Sequence, residues 1–298
     1  MPIRILPQPF LFVIVLAAVL LFGGEDTRAD DDVPSFSATL VEFNGDVTLQ
    51  HRGEDLWLPV DTDIPVEEGD RLRTGEDGSA EILMDDGSVV RMEEGTEITL
   101  EELAADCQDQ RILSTMALWF GRILCTVQKL VHRESRFQVR TPTLVAAVRG
   151  TDFVVESTTE EETDVGVFEG DVAVLGLDQQ GRTIQDSEIL VSRDRQVSVA
   201  RFRRPGRPIP LKKRMLAHRK RIERLRKKAI ERRRLLPQII HRRNAARQRI
   251  LKRWQQLRKP LLKRRLLKKR QQILKSRRDR RAPRRLPRQN PSKRKQNP

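Results

Sequence analysis

Glu67-Glu68-Gly69-Asp70, Glu76-Asp77-Gly78-Ser79, Asp85-Asp86-Gly87-Ser88 and Glu93-Glu94-Gly95-Thr96 set two acids, a glycine and a small polar residue at intervals of 9, 9 and 8. Gly reaches the positive φ of tight turns, and Asp or Ser hydrogen-bonds the turn backbone. The four or five residues left between turns suffice for one strand each. Phe168-Glu169-Gly170-Asp171 repeats part of the pattern. Outward from it, Phe36, Ala38 and Leu40 alternate with polar residues, as do Ala80, Ile82 and Met84, then Phe137, Val139 and Thr141, then Val165, Val167 and Glu169. Period-two alternation over four to seven residues reads as β-strands. Residues 36–200 are therefore expected to form a mainly β domain, a meander or solenoid, complete without the residues from Arg201 onward. Leu113 to Leu130 stays ambiguous: Gly121 turns a hairpin there, or a short helix caps the sheet.

The charge divides the chain. Residues 1–200 hold 16 Lys and Arg against 39 Asp and Glu, net −23, whereas residues 201–298 hold 42 against 3, net +39. Such asymmetry points to a separate polyanion-binding segment. Pro205, Pro208 and Pro210 form a stiff connector. Leu211, Met215, Ile222, Leu225, Ala229 and Leu236 then fall at helical spacing. Pro237 and Pro260 are expected to divide the basic tail, residues 201–298, into three helical pieces, with disorder from Pro283 onward. Arg224, Arg232, Arg242, Arg253 and Arg264 are its candidate polyanion contacts. Paired apolar residues from Leu235-Leu236 to Ile273-Leu274 run through the basic sequence, and a basic amphipathic helix suits an anionic membrane or envelope polyanion. An acidic protein, or the chain's own acidic domain, is the competing partner. Nucleic acid is the third, although Trp254 is the only aromatic besides Phe202 available for base stacking.

At the amino terminus, Arg4 precedes an unbroken apolar run from Phe10 to Phe22, too short to span a membrane and suited to a signal peptide. Thr27-Arg28-Ala29 supplies small residues for cleavage before Asp30, making residues 1–29 a signal peptide or, uncleaved, a short anchor. This implies a periplasmic or envelope location. There Cys107 and Cys125 could pair; in a reducing compartment they would be buried thiols.

The β region resembles the FecR domain family, the envelope domain of iron-dicitrate-type regulators. The resemblance runs from about Leu40 to Val199. It rests on Gly69-Asp70, Asp86-Gly87-Ser88, Phe137 to Pro142, the string Val148-Arg149-Gly150-Thr151-Asp152-Phe153, and the turn at Gly170. It implies a β-solenoid or twisted β-sandwich and a role in protein recognition and signalling. Only nine residues precede the apolar run, and the basic tail stands where the iron regulators carry a receptor-docking part. A stand-alone FecR domain in another envelope system is therefore expected. Arg149-Gly150-Thr151 is either a recognition spot or a turn in which Gly150 permits a close backbone approach.

Chemistry is sparse. Asp61-Thr62-Asp63 opens like a calcium loop but continues with Pro65, Val66 and Leu72 where a ligand, a glycine and a glutamate are needed. His51, His132, His218 and His241 have no metal-ligand spacing. Nucleophile elbows, phosphate loops and zinc-protease signatures are missing from the sequence. No cofactor, small-molecule substrate or enzymatic activity is expected.

Overall fold

A computed structural model describes residues 37–106, 111–130 and 132–281. In the helix beyond Ala245, side chains are described only at residues 247, 252, 256, 260 and 267. The signal segment, Cys107 and the stretch from Pro283 lie outside the described residues.

The turns open as the repeat demands. Each of the four acidic tetrads turns the chain between strands, and Gly69, Gly87, Gly95 and Gly170 have φ between +56° and +87°. The strands form two sheets. Sheet I runs, in spatial order, β4 (Ile64–Val66), β1 (Ala38–Asn44), β6 (Ser79–Met84), β7 (Val89–Met92), β9 (Arg111–Thr126), β12 (Asp152–Ser157), β13 (Glu162–Glu169), β16 (Arg195–Ala200) and β17 (Ile209–Pro210). Sheet II runs β3 (Leu58–Pro59), β2 (Val47–Gln50), β5 (Arg71–Thr74), β8 (Glu97–Asp106), the same β9, β10 (Arg136–Arg140), β11 (Leu144–Val148), β14 (Asp171–Gly176) and β15 (Ile189–Ser192). Every pairing is antiparallel except β9 with β10.

The stretch left ambiguous in the sequence is thus neither hairpin nor helix but one 16-residue strand. Its first part pairs in sheet II with β8 and its last part in sheet I with β7 and β12. Gly121, at φ +101°, sits at the hand-over. A Cβ there would lie 2.5 Å from the Cα of Thr96, so only glycine lets the strand change sheets at this point.

The alternating residues meet between the sheets. Ala38, Leu40, Ala80, Ile82, Met84, Phe137, Val139, Val165 and Val167 belong to one buried cluster, with Phe137 and Phe153 edge to face at 6.5 Å. The result is a twisted β-sandwich that does not close into a barrel.

Sheet I has a second buried face. Leu83, Val89, Leu124, Val154 and Phe168 point away from the sandwich core and pack against Leu211, Met215, Ile222, Leu225, Ala229 and Ile239 of the basic tail. The tail forms α1 (Lys213–Leu216) and α2 (Arg219–Arg281), and α2 lies on sheet I as a third layer. The expected division at Pro237 and Pro260 does not occur, for α2 is continuous over 63 residues. Both prolines are exposed. At Pro237, Arg232 before it and Ile239 and Arg243 after it are all anchored on the sheet, which holds the helical register across the missing N–H.

Candidate functional site on the outer face of sheet I

The docked part of α2 rests on carboxylates as well as on apolar side chains. Along the chain from α1, the partners come from strands of sheet I and from the turns beside them. Arg214 contacts Glu156 at 2.7 Å and also binds Asp164. His218 Nε2 bonds the same Glu156 at 3.0 Å. Arg221 donates to Glu93 at 2.6 Å. Arg226 clamps Asp152 and reaches Glu169 at 3.2 Å. Lys228 and Arg232 share Glu42 and Glu81, Lys228 donating to both Glu42 oxygens at 2.8 Å. Arg243, only 3 % exposed, grips Asp85 through both terminal nitrogens and donates to Thr39 Oγ1 at 3.1 Å. Arg247 closes the series on Glu67 at 2.8 Å.

These carboxylates are costly to bury and need their cations. Burial alone would raise the Glu156 carboxyl. The hydrogen bond with His218 and the charges of Arg122, Arg214 and His218 overcome that and hold it at about 2. Glu81 shows the same contest: burial pushes it up, and Arg232, Arg91 and Lys228 bring it below the usual carboxylate range. At Asp152 burial wins against Arg226 and the carboxyl is raised.

The family-like string feeds this seam. Arg149 donates to the His132 carbonyl at 2.6 Å, and Thr151 Oγ1 donates to the Asp171 carbonyl at 2.9 Å. Gly150 has φ +105°, and a Cβ there would come within 2.8 Å of Lys129 Cα. Gly170 stacks behind it: a Cβ on Gly170 would meet the Gly150 carbonyl at 2.9 Å. This close packing delivers the next residue, Asp152, under Arg226. The other motif residues brace turns. Asp70 accepts from His51 Nδ1 and from the backbone N–H groups of Arg52 and Glu67, and Gly69 abuts the Arg52 side chain. Asp86 accepts from the N–H and hydroxyl of Ser88, while the Gly87 carbonyl accepts from Arg233 at 2.9 Å.

The candidate polyanion contacts divide. Arg232 is engaged within the chain, on Glu42 and Glu81. Arg242 is 60 % exposed, 3.9 Å from Asp63, and Arg224 is exposed with its Nε on the Lys220 carbonyl. The side chains of Arg253 and Arg264 lie outside the described residues. Cys125 is a buried free cysteine in the sandwich core, and burial pushes its thiol up.

Sequence reading passed over Glu42, Glu81 and Glu156, and took Asp85, Glu93 and Asp152 only as members of turn and family-like motifs. The signal for them was present in Ile82-Leu83-Met84, Val89-Val90, Ile123-Leu124-Cys125 and Phe153-Val154-Val155. Unbroken apolar runs in strands mark burial on both faces, so an acid set among them needs a cation from a covering element.

Among the described residues, no group of His, Cys, Asp and Glu is placed to hold a metal ion, and no helix is long and apolar enough to cross a membrane. Fold and site together define a β-sandwich whose one outer face is sealed by its own basic helix. Residues 70–173 match the family described as FecR protein, and the chain carries a FecR domain there. The match supports a regulatory or signalling module. Two crystal structures of a protein from Parabacteroides distasonis ATCC 8503, provisionally described as an anti-sigma factor, are similar at 20% identity, with TM-scores of 0.37 and 0.35. The similarity covers 47% of this chain and 58% of those chains. No curated protein matches.

Proposed function

We propose that this protein is a non-catalytic signalling module of the cell envelope. Its FecR domain recognises a protein partner, and the far part of its basic tail holds it to a polyanionic surface. The observation that carries the reading is the division of labour along α2. Between residues 214 and 247, Arg214, Arg221, Arg226, Arg232, Arg243 and Arg247 are each paired with a carboxylate of the β-sandwich. Residues 248–281 carry sixteen Lys and Arg against one acid, Asp279, after the acidic face has been used. The FecR match and the amino-terminal charge and apolar run support an envelope location.

Fractionating cells and sequencing the mature amino terminus test this. The protein is expected in the envelope fraction with Asp30 first, and salt is expected to release it, because exposed charge contacts are screened. Protein found in the cytosol with Met1 intact overturns the reading.

A further inference from the structure

The apolar row that fastens α2 to the sheet does not stop where the sheet stops. Ala229 is fully buried against sheet I, and Ile240 is half-buried one repeat later. Counting on by eleven gives Leu251, Leu262 and Ile273. A second row runs Ile239, Ile250 and Leu261, and Ile239 is buried on the sheet. Eleven residues of ideal α-helix exceed three turns by only about 20°. Because α2 is continuous to Arg281, Leu251, Leu262 and Ile273 follow the docked face in a slow drift, about 40°, 60° and 80° around the helix from Ala229. Leu267, by contrast, falls about 140° around the helix from Leu262.

The last described contact with the β-sandwich is Arg247 on Glu67. Beyond it lie roughly 50 Å of helix at about 1.5 Å per residue, carrying an apolar row among sixteen cations and one acid. We propose that residues 248–281 form an interfacial helix that lies along an anionic lipid surface on this row. The inference rests on the proposed polyanion contact of the tail and deepens it by naming the surface and the residues that enter it.

Charge and chemistry select the occupant. A second copy of α2 is repelled by the same excess of cations. Sheet I of a second copy is already covered by that copy's own helix. Phosphates of nucleic acid engage the cations but leave the leucine row unused, and base stacking has only Trp254 in this segment. A lipid surface uses both features: headgroup charge takes the Lys and Arg, whose long stems reach outward while the row enters the interface.

The test is co-sedimentation of the full chain with vesicles of phosphatidylglycerol and phosphatidylcholine, or of phosphatidylcholine alone. Two variants are compared, Leu262→Glu on the row and Leu267→Glu off it, each adding the same charge to the same helix. The wild type should bind the anionic vesicles and largely ignore the neutral ones. Leu267→Glu should weaken binding roughly fivefold, the share of one charge. Leu262→Glu should weaken it by a further tenfold or more, because a buried leucine is also lost. Equal losses from the two variants overturn the interfacial row while leaving a purely electrostatic polyanion contact intact. Binding of duplex DNA but not of anionic vesicles overturns the lipid assignment. No binding to vesicles, DNA or polyphosphate removes the polyanion reading itself.

Discussion

Glu156 concentrates the chemistry of the seam in one side chain. It is 1 % exposed, bound by Arg122, Arg214 and His218, and its carboxyl sits at about 2 rather than at 4.5. A folded-state value below the unfolded one means that ionised Glu156 stabilises the fold. That contribution, ~3 kcal/mol, is fully present above pH 4.5 and is lost as pH falls from there through about 2. Asp152 is shifted in the opposite sense by burial, so the acid limb of the whole protein sums both effects and only a variant separates them. Glu156→Gln should lower stability at pH 7 by about 3–5 kcal/mol, because Arg122 and Arg214 lose their buried counter-charge and keep only the more exposed Glu94 and Asp164. In urea unfolding at several pH values, the gap between wild type and variant should narrow from pH 4.5 downward. A gap that stays constant to pH 2.5 would show that the carboxylate is not held in this way.

At the scale of elements, α2 belongs to the fold as much as to the tail. The change of composition at Arg201 marks where the acidic half ends, and it invites the expectation that residues 36–200 suffice. The structure gives the outer face of sheet I a need that this range does not meet. Without the helix, Leu83, Val89, Leu124, Val154 and Phe168 face water, and Glu81, Asp152 and Glu156 lose cations. Each well-buried apolar side chain contributes about 1.5–3 kcal/mol. The six helix residues Met215, Ile222, Leu225, Ala229, Leu236 and Ile239 therefore contribute of order 10 kcal/mol as an upper bound. A chain of residues 30–200 should bind a hydrophobic dye and melt well below one of residues 30–247. Equal melting temperatures for the two would mean that the third layer adds nothing.

Over the whole molecule, one 63-residue helix passes from a region where every turn is anchored to one where the acidic sheet has ended. Trypsin, which cuts at the cations that crowd this helix, should map the border. The segment ending near Arg247 should survive, since Arg243 is buried in its pair and Arg232 is held on Glu42 and Glu81, while residues beyond it should be removed. At about 1 M salt the exposed pairs weaken, but the protected border should hold, because the apolar contacts and buried pairs are screened least. Rapid trimming back to about residue 200 at low salt would contradict a docked helix.

Much of this architecture was legible in the chain. The acidic glycine tetrads specify turns through local backbone chemistry, and period-two alternation specifies strands that bury one face. The Leu211 to Leu236 spacing specifies an apolar helix stripe, and the charge asymmetry marks two segments of opposite sign. These signals are read along the chain without knowing which distant residues meet. Only the tertiary structure decided that β9 serves both sheets through Gly121, that Asp152 of the family-like string meets Arg226, and that α2 runs on through Pro237. It also decided that Arg214, Arg221, Arg226, Arg232, Arg243 and Arg247 of the basic segment pair with the chain's own carboxylates. Those outcomes depend on residues distant in sequence, from Gly121 against Thr96 to Arg226 with Asp152 and Arg232 with Glu42. A charge in a sequence does not name its partner; the stacking of the helix on the sheet does.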